Sequence, residues 1–137
     1  MPTIIETEKY RLEIRDGSDL LEYTIKEGIT YDAEDAIETK ARVTALHPGE
    51  RFYVLGKGIE FFNITAAARA LAATKEFSDN TIAVAFYTSN ISLQLIGEMY
   101  VKLNKPAVPT KIFKSLFSAQ EWLNEQMNKN IPGTGQT

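Results

Sequence analysis

The residues able to do chemistry are few and scattered. The chain has no cysteine and one histidine, His47. That composition excludes thiolate nucleophiles, disulfides, zinc ribbons, histidine-cluster metal sites and two-histidine mechanisms. A site made of carboxylates alone stays open. Asp32, Glu34, Asp35 and Glu38 form the densest acidic group. Paired carboxylates can act as acid and base, but acids at a helix start ordinarily complement its positive end, and that reading is adopted here. His47 precedes Pro48-Gly49, where a helix closes, so its expected role is to satisfy the last carbonyls. No serine or aspartate can be paired with it into a triad from spacing alone. No catalytic residue, cofactor or metal is assigned, and the chain reads as a non-enzyme.

Two helix starts carry polar groups with a second possible use. Ser89, Asn90 and Ser92 open one helix, and Asn63 and Thr65 precede another. Free N–H groups at a helix start attract anions, yet the same residue types are ordinary N-caps. Asn63, Thr65, Ser89 and Asn90 are therefore the binding or phospho-switch candidates. Gly56-Lys57-Gly58 invites a phosphate-loop reading, but GxxxxGK[ST] is absent and no helix follows directly, so it reads as a flexible exit from a strand.

The elements that must position these groups are legible from residue 10 onward. Tyr10, Leu12 and Ile14 alternate with polar residues, as do Leu21, Tyr23 and Ile25, about an Asp16-Gly17-Ser18 turn. That pattern predicts a β-hairpin. Asp32 caps a predicted helix from Ala33, with Ala33, Ala36, Ile37, Ala41, Val43 and Thr44 on one arc. Phe52–Leu55 and Ile82–Phe86 are unbroken apolar runs, the mark of strands buried on both faces. Between them an alanine-rich helix is expected from Ala66 to about Phe77, capped by Thr65. Ile91, Leu95, Ile96, Met99, Tyr100 and Leu103 recur at helical spacing and predict an amphipathic helix, which Pro106 and Pro109 stop. Lys111-Ile112-Phe113 reads as a short edge strand flanked by lysines. Ser118 and Glu121 stand at capping-box spacing and Phe117 and Trp122 at staple spacing, so Trp122 is expected in the core with Phe117 beside it.

The order β-β-α-β-α-β-α-β-α predicts an α/β fold: a mixed β-sheet with an N-terminal hairpin, then alternating βα units with parallel strands. A chain of 137 residues suits one domain over 1–129, with 130–137 a flexible tail. The formal charge of −3 disfavours binding a phosphate backbone. No transmembrane segment or signal peptide is legible, and the expected location is cytoplasmic.

The βα alternation and three C-terminal motifs resemble the STAS superfamily, in the broader branch similar to the anti-sigma-factor antagonists and the CRAL-TRIO lipid-carrier fold. The motifs are Ile82-Ala83-Val84-Ala85-Phe86, then Pro109-Thr110-Lys111-Ile112-Phe113, then Ala119-Gln120-Glu121-Trp122-Leu123. The stretch from Leu103 to Pro109 looks like small uncharacterised bacterial members of that branch. The resemblance covers residues 50–125, and the hairpin by pattern only. In the antagonists a serine within Asp-Ser-Ser-Gly is phosphorylated by a partner kinase. The corresponding stretch here is Asn63-Ile64-Thr65-Ala66, which keeps a hydroxyl at Thr65 but not the rest of the motif.

The resemblance implies a STAS-like regulatory or protein-interaction module, binding a protein partner over the face around the second helix. The alternative is a small-molecule or lipid-binding domain, with an apolar ligand in a pocket between sheet and helices. A homo-oligomer is compatible with either.

Overall fold

The computed structural model describes residues 1–129. The expected tail, 130–137, lies outside the described residues. Strands β1 (Thr3–Glu6), β2 (Tyr10–Ile14), β3 (Leu20–Ile25), β5 (Phe52–Lys57), β7 (Thr81–Tyr87) and β8 (Thr110–Phe113) form a six-stranded sheet in the order β1-β2-β3-β5-β7-β8. A two-residue strand β4 (Thr30–Tyr31) pairs in parallel with β6 (Asn63–Ile64). Helices are α1 (Ala33–Leu46), α2 (Ala66–Ala72), α3 (Ile91–Met99) and α4 (Leu116–Lys129). A π-helical turn, Tyr100–Asn104, extends α3.

The sheet is mixed, as expected. The predicted hairpin is β2–β3, antiparallel with Leu12 opposite Tyr23, and Gly17 turns it at a positive φ of 71°. β3, β5, β7 and β8 then run parallel. The two unbroken apolar runs occupy the interior positions β5 and β7, and β8 is an edge. The hairpin is not the start of the sheet, however. Thr3–Glu6 adds an antiparallel strand outside β2. Its four residues are too few to display an alternation that stands out from a polar terminus.

The two faces of the sheet are packed differently. On one, Leu12, Leu21, Phe52 and Phe62 form a core with Ala36 and Val43 of α1, Ala68 of α2 and Leu93 of α3. On the other, Tyr53, Leu55, Ala83 and Ala85 pack against Ala119 and Leu123 of α4. The alternation along β7 explains the asymmetry. Its small side chains Ala83 and Ala85 face α4 and are fully buried, letting that helix approach closely. Its larger Val84 and Phe86 point towards α1–α3. Gly56 sits opposite Phe86 in the ladder, and a Cβ there would stand 2.8 Å from the Phe86 ring. Gly56 and Lys57 thus belong to an ordered strand, with Lys57 bonded to Glu22 at 3.1 Å. The expected flexible exit is corrected accordingly.

Several local expectations are also corrected. α2 ends at Ala72, because residues 74–80 fold back in turns held by Thr74 and Ser78. On α1 the buried side chains are Ala36, Thr39 and Val43, while Ile37 is exposed. α4 is capped by Ser115, whose hydroxyl accepts from the Ser118 N–H at 3.1 Å. Ser118 therefore lies inside the helix and makes no capping box with Glu121. Phe117 is 68% exposed, and Trp122 is half-buried against Phe113 with ring centroids 5.8 Å apart. The buried α4 positions are Ala119 and Leu123, not the Phe117 and Trp122 of the expected staple.

Candidate functional site

A cavity of about 320 Å³ lies between the sheet and helices α1, α2 and α3. Its floor is the larger-residue face of the strands: Leu21 and Tyr23 of β3, Val54 of β5, Val84 and Phe86 of β7, and Ile112 of β8. Its roof comes from Val43, Ala68, Ala72, Phe77, Ile96 and Tyr100. The cavity follows from residue size. The alanine-rich α2 carries little side chain to fill the space beneath it. Gly97 on α3 lets Ile112 come close; a Cβ there would stand 2.8 Å from the Ile112 Cδ1.

Two cations among the described residues line the cavity, and they are held to different degrees. Lys40 donates to the Phe77 carbonyl at 2.8 Å, pairs with Asp79 and lies over the Phe77 ring. Arg69 donates to the Ile64 carbonyl. Burial pushes the Tyr100 hydroxyl up to about 12. The Tyr23 hydroxyl is raised, chiefly by burial and then by Tyr31, and Tyr31 is raised by burial as well. All three tyrosines line the cavity, and burial keeps their hydroxyls protonated.

A cluster of bonded hydroxyls stands in the chiefly apolar lining. The Tyr23 and Tyr31 hydroxyls bond each other, and both reach Thr39 Oγ1, at 3.2 and 3.3 Å. Thr39 donates to the Asp35 carbonyl at 2.8 Å. Tyr10 stacks on Tyr23, with centroids 5.2 Å apart, and lines a separate polar recess with Lys9, Asp35, Glu38 and Arg42. Tyr23, Tyr31 and Thr39 were not among the candidates from sequence. Tyr23 and Tyr31 sit on different sheets and Thr39 on a helix, and only a buried threonine on α1 could have drawn attention to the spot.

The four candidates from sequence do not converge on one site. Thr65 is the N-cap of α2, accepting from the Ala68 N–H at 3.1 Å and donating to Asp32 Oδ1 at 2.8 Å. Asp32 is itself the N-cap of α1, in a capping box with Asp35. Its carboxyl is held below the ordinary range by the Thr65 hydroxyl, then by the Ala33 N–H. Asn63 lies exposed on β6 beside Thr65. Asn90 caps α3 through the Leu93 N–H at 3.1 Å, and Ser89 is exposed next to it. The buried hydroxyl at this bend is Thr88, which donates to the Gly58 carbonyl and accepts from the Asn90 N–H. His47 satisfies a last-turn carbonyl of α1, that of Val43 at 2.8 Å, with its backbone N–H and not with its ring. Its Nε2 meets Thr3 Oγ1 at 2.9 Å and its Nδ1 meets Glu50 at 2.7 Å.

α3 departs most from its expected pattern. Leu93 is the side chain it buries, with Ile96 and Tyr100 against the cavity. Ile91, Leu95, Met99 and Leu103, from the same predicted stripe, are between 57% and 73% exposed. The helix therefore has an inner and an outer apolar face. Among the described residues no group of acidic or histidine side chains could hold a metal, and no helix is long and apolar enough to cross a membrane.

The mixed sheet with three helices on one face and one on the other defines a SpoIIAA-like fold, of the STAS-like class. It is shared with the crystal structure of an uncharacterised protein of the DUF3478 family from Shewanella loihica PV-4. The two superpose with a TM-score of 0.59 at 13% identity, covering 90% of this chain and 95% of the other. Residues 12–127 match the family described as domain of unknown function DUF7793, and the chain belongs to that family. No curated protein matches the sequence.

Proposed function

We infer that this protein is a non-enzymatic binding domain that takes a small apolar molecule between its sheet and helices α1–α3. The observation that carries this reading is the cavity of about 320 Å³. Its volume lies at the lower end of the range of ligand sites. Its lining is chiefly aliphatic and aromatic, with few polar groups. Native mass spectrometry of freshly purified protein tests the reading. The expected result is a co-purifying small molecule that is absent from Val84→Phe, a variant whose larger ring projects into the cavity. A clean apo mass, together with no binding of apolar probes, would overturn it.

A protein-interaction role, the regulatory alternative, has its own support in the outer face of α3. Ile91, Leu95, Met99 and Leu103 are exposed along one side of that helix. This is a different surface from the face around α2, whose outward residues are mostly alanine. Thr65 remains the phospho-switch candidate of such a module. Its hydroxyl faces the Asp32 carboxylate, so a phosphate there would meet like charge and separate the two helix caps.

A further inference from the structure

Three of the hydroxyls in the cavity wall, those of Tyr23, Tyr31 and Thr39, can be accounted for proton by proton. Each hydroxyl carries one proton and two acceptor sites. Thr39 spends its proton on the Asp35 carbonyl, at 2.8 Å. One tyrosine of the Tyr23–Tyr31 pair donates to the other. The tyrosine that receives has one proton left, and Thr39 Oγ1 accepts it, at 3.2 Å from Tyr23 or 3.3 Å from Tyr31. Every proton of the cluster is thus used within the protein, and what remains on its oxygens is acceptor capacity. The same count holds whichever tyrosine donates first.

We propose that the cavity selects a neutral amphiphile with a hydrogen-bond donor at one end, such as an aliphatic alcohol, whose donor is read by the Tyr23–Tyr31–Thr39 hydroxyls. The proposal rests on the apolar-ligand reading of the cavity and adds the chemical class to it. At ~30 Å³ per water-sized group, the cavity holds about ten or eleven non-hydrogen atoms, the size of a medium-chain alcohol. A ligand that presents only acceptors brings nothing the cluster can bond. A carboxylate is opposed further. It would lose its hydration on entering a chiefly apolar lining. Lys40, which also lines the cavity, is held by the Phe77 carbonyl and Asp79, whereas Arg69 gives one N–H to the Ile64 carbonyl and has donors to spare, so tightest binding of the carboxylate is the result that would overturn the proposal. A site built to satisfy a ligand hydrogen bond discriminates strongly against the analogue that lacks it.

Isothermal titration of the full chain with three probes of similar size tests the proposal: 1-decanol, its isomer 1-methoxynonane and decanoate. Decanol should bind at least tenfold more tightly than the ether, and decanoate more weakly than decanol. In Tyr23→Phe/Tyr31→Phe, checked by circular dichroism for fold, the advantage of decanol over the ether should fall below about threefold. If the double variant does not fold, Tyr31→Phe alone should narrow the gap in the same direction. Equal affinity for alcohol and ether, or tightest binding of decanoate, would overturn the donor selection while leaving the apolar cavity as a binding site. Failure of all three probes to bind would overturn both. An unchanged preference in the tyrosine variants would place the selectivity elsewhere.

Discussion

Thr65 donates its hydroxyl to Asp32 Oδ1 at 2.8 Å, so the caps of α2 and α1 are one hydrogen-bonded pair. The two residues are 33 positions apart in the chain and meet because β4 and β6 run side by side immediately before them. Thr65→Ser keeps both bonds and should be nearly silent. Thr65→Ala leaves the Ala68 N–H and the Asp32 oxygen without this partner and should lower stability by ~0.5–2 kcal/mol. Urea denaturation measures both. A loss for Thr65→Ala within error of zero would mean that water replaces the hydroxyl without cost.

The same pair sets an acid dependence. In the fold the Asp32 carboxyl lies below its ordinary 3.8. A carboxylate lowered on folding contributes stability that is full above its unfolded value and is lost as pH falls through the folded one. Stability should therefore decline on acidification below about pH 4, with Glu6, lowered by Lys26, contributing in the same direction. In Thr65→Val the largest cause of the Asp32 shift is gone, and the acid decline should be shallower. Denaturation midpoints at pH 7 and pH 3 for both proteins check this.

The inner and outer faces of α3 make opposite demands. Leu93→Ala removes a buried side chain and should cost ~2–5 kcal/mol. Leu95→Gln, on the exposed face, should change stability by no more than ~0.5 kcal/mol. If Leu95→Gln proves strongly destabilising in dilute solution, the outer face is covered, and sedimentation of the wild type should then reveal an oligomer.

On α4 the same contrast separates Leu123 from Phe117. Leu123→Ala, in the core beside Ala83 and Ala85, should cost ~2–5 kcal/mol. Phe117→Ala should be within ~0.5 kcal/mol of wild type. Trp122→Ala should fall between them, because its ring is half-buried and rests on Phe113. Thermal unfolding of the three variants ranks them directly.

What could be read from the chain alone was whatever depends on local pattern. Alternation drew β2 and β3, and unbroken apolar runs drew β5 and β7 as interior strands. Asp32, Thr65 and Asn90 announced three helix starts, because a cap acts on N–H groups within three residues of itself. β1 escaped because four residues next to a terminus carry too little pattern. The short β4 and β6 exist only because each finds the other across the fold. Periodicity showed that α3 and α4 are helices with apolar stripes, but not which apolar residues face inward. Leu95 and Leu93 are the same residue type two positions apart, and the side towards the sheet is settled by where β7 and β8 lie. The cavity was beyond reach for the same reason. It is a difference between the volume that the strands and helices enclose and the volume that Val54, Ala68, Val84 and Ala72 fill. Its hydroxyl cluster gathers Tyr23, Tyr31 and Thr39 from two strands and a helix, and only the packed chain brings their oxygens within bonding distance.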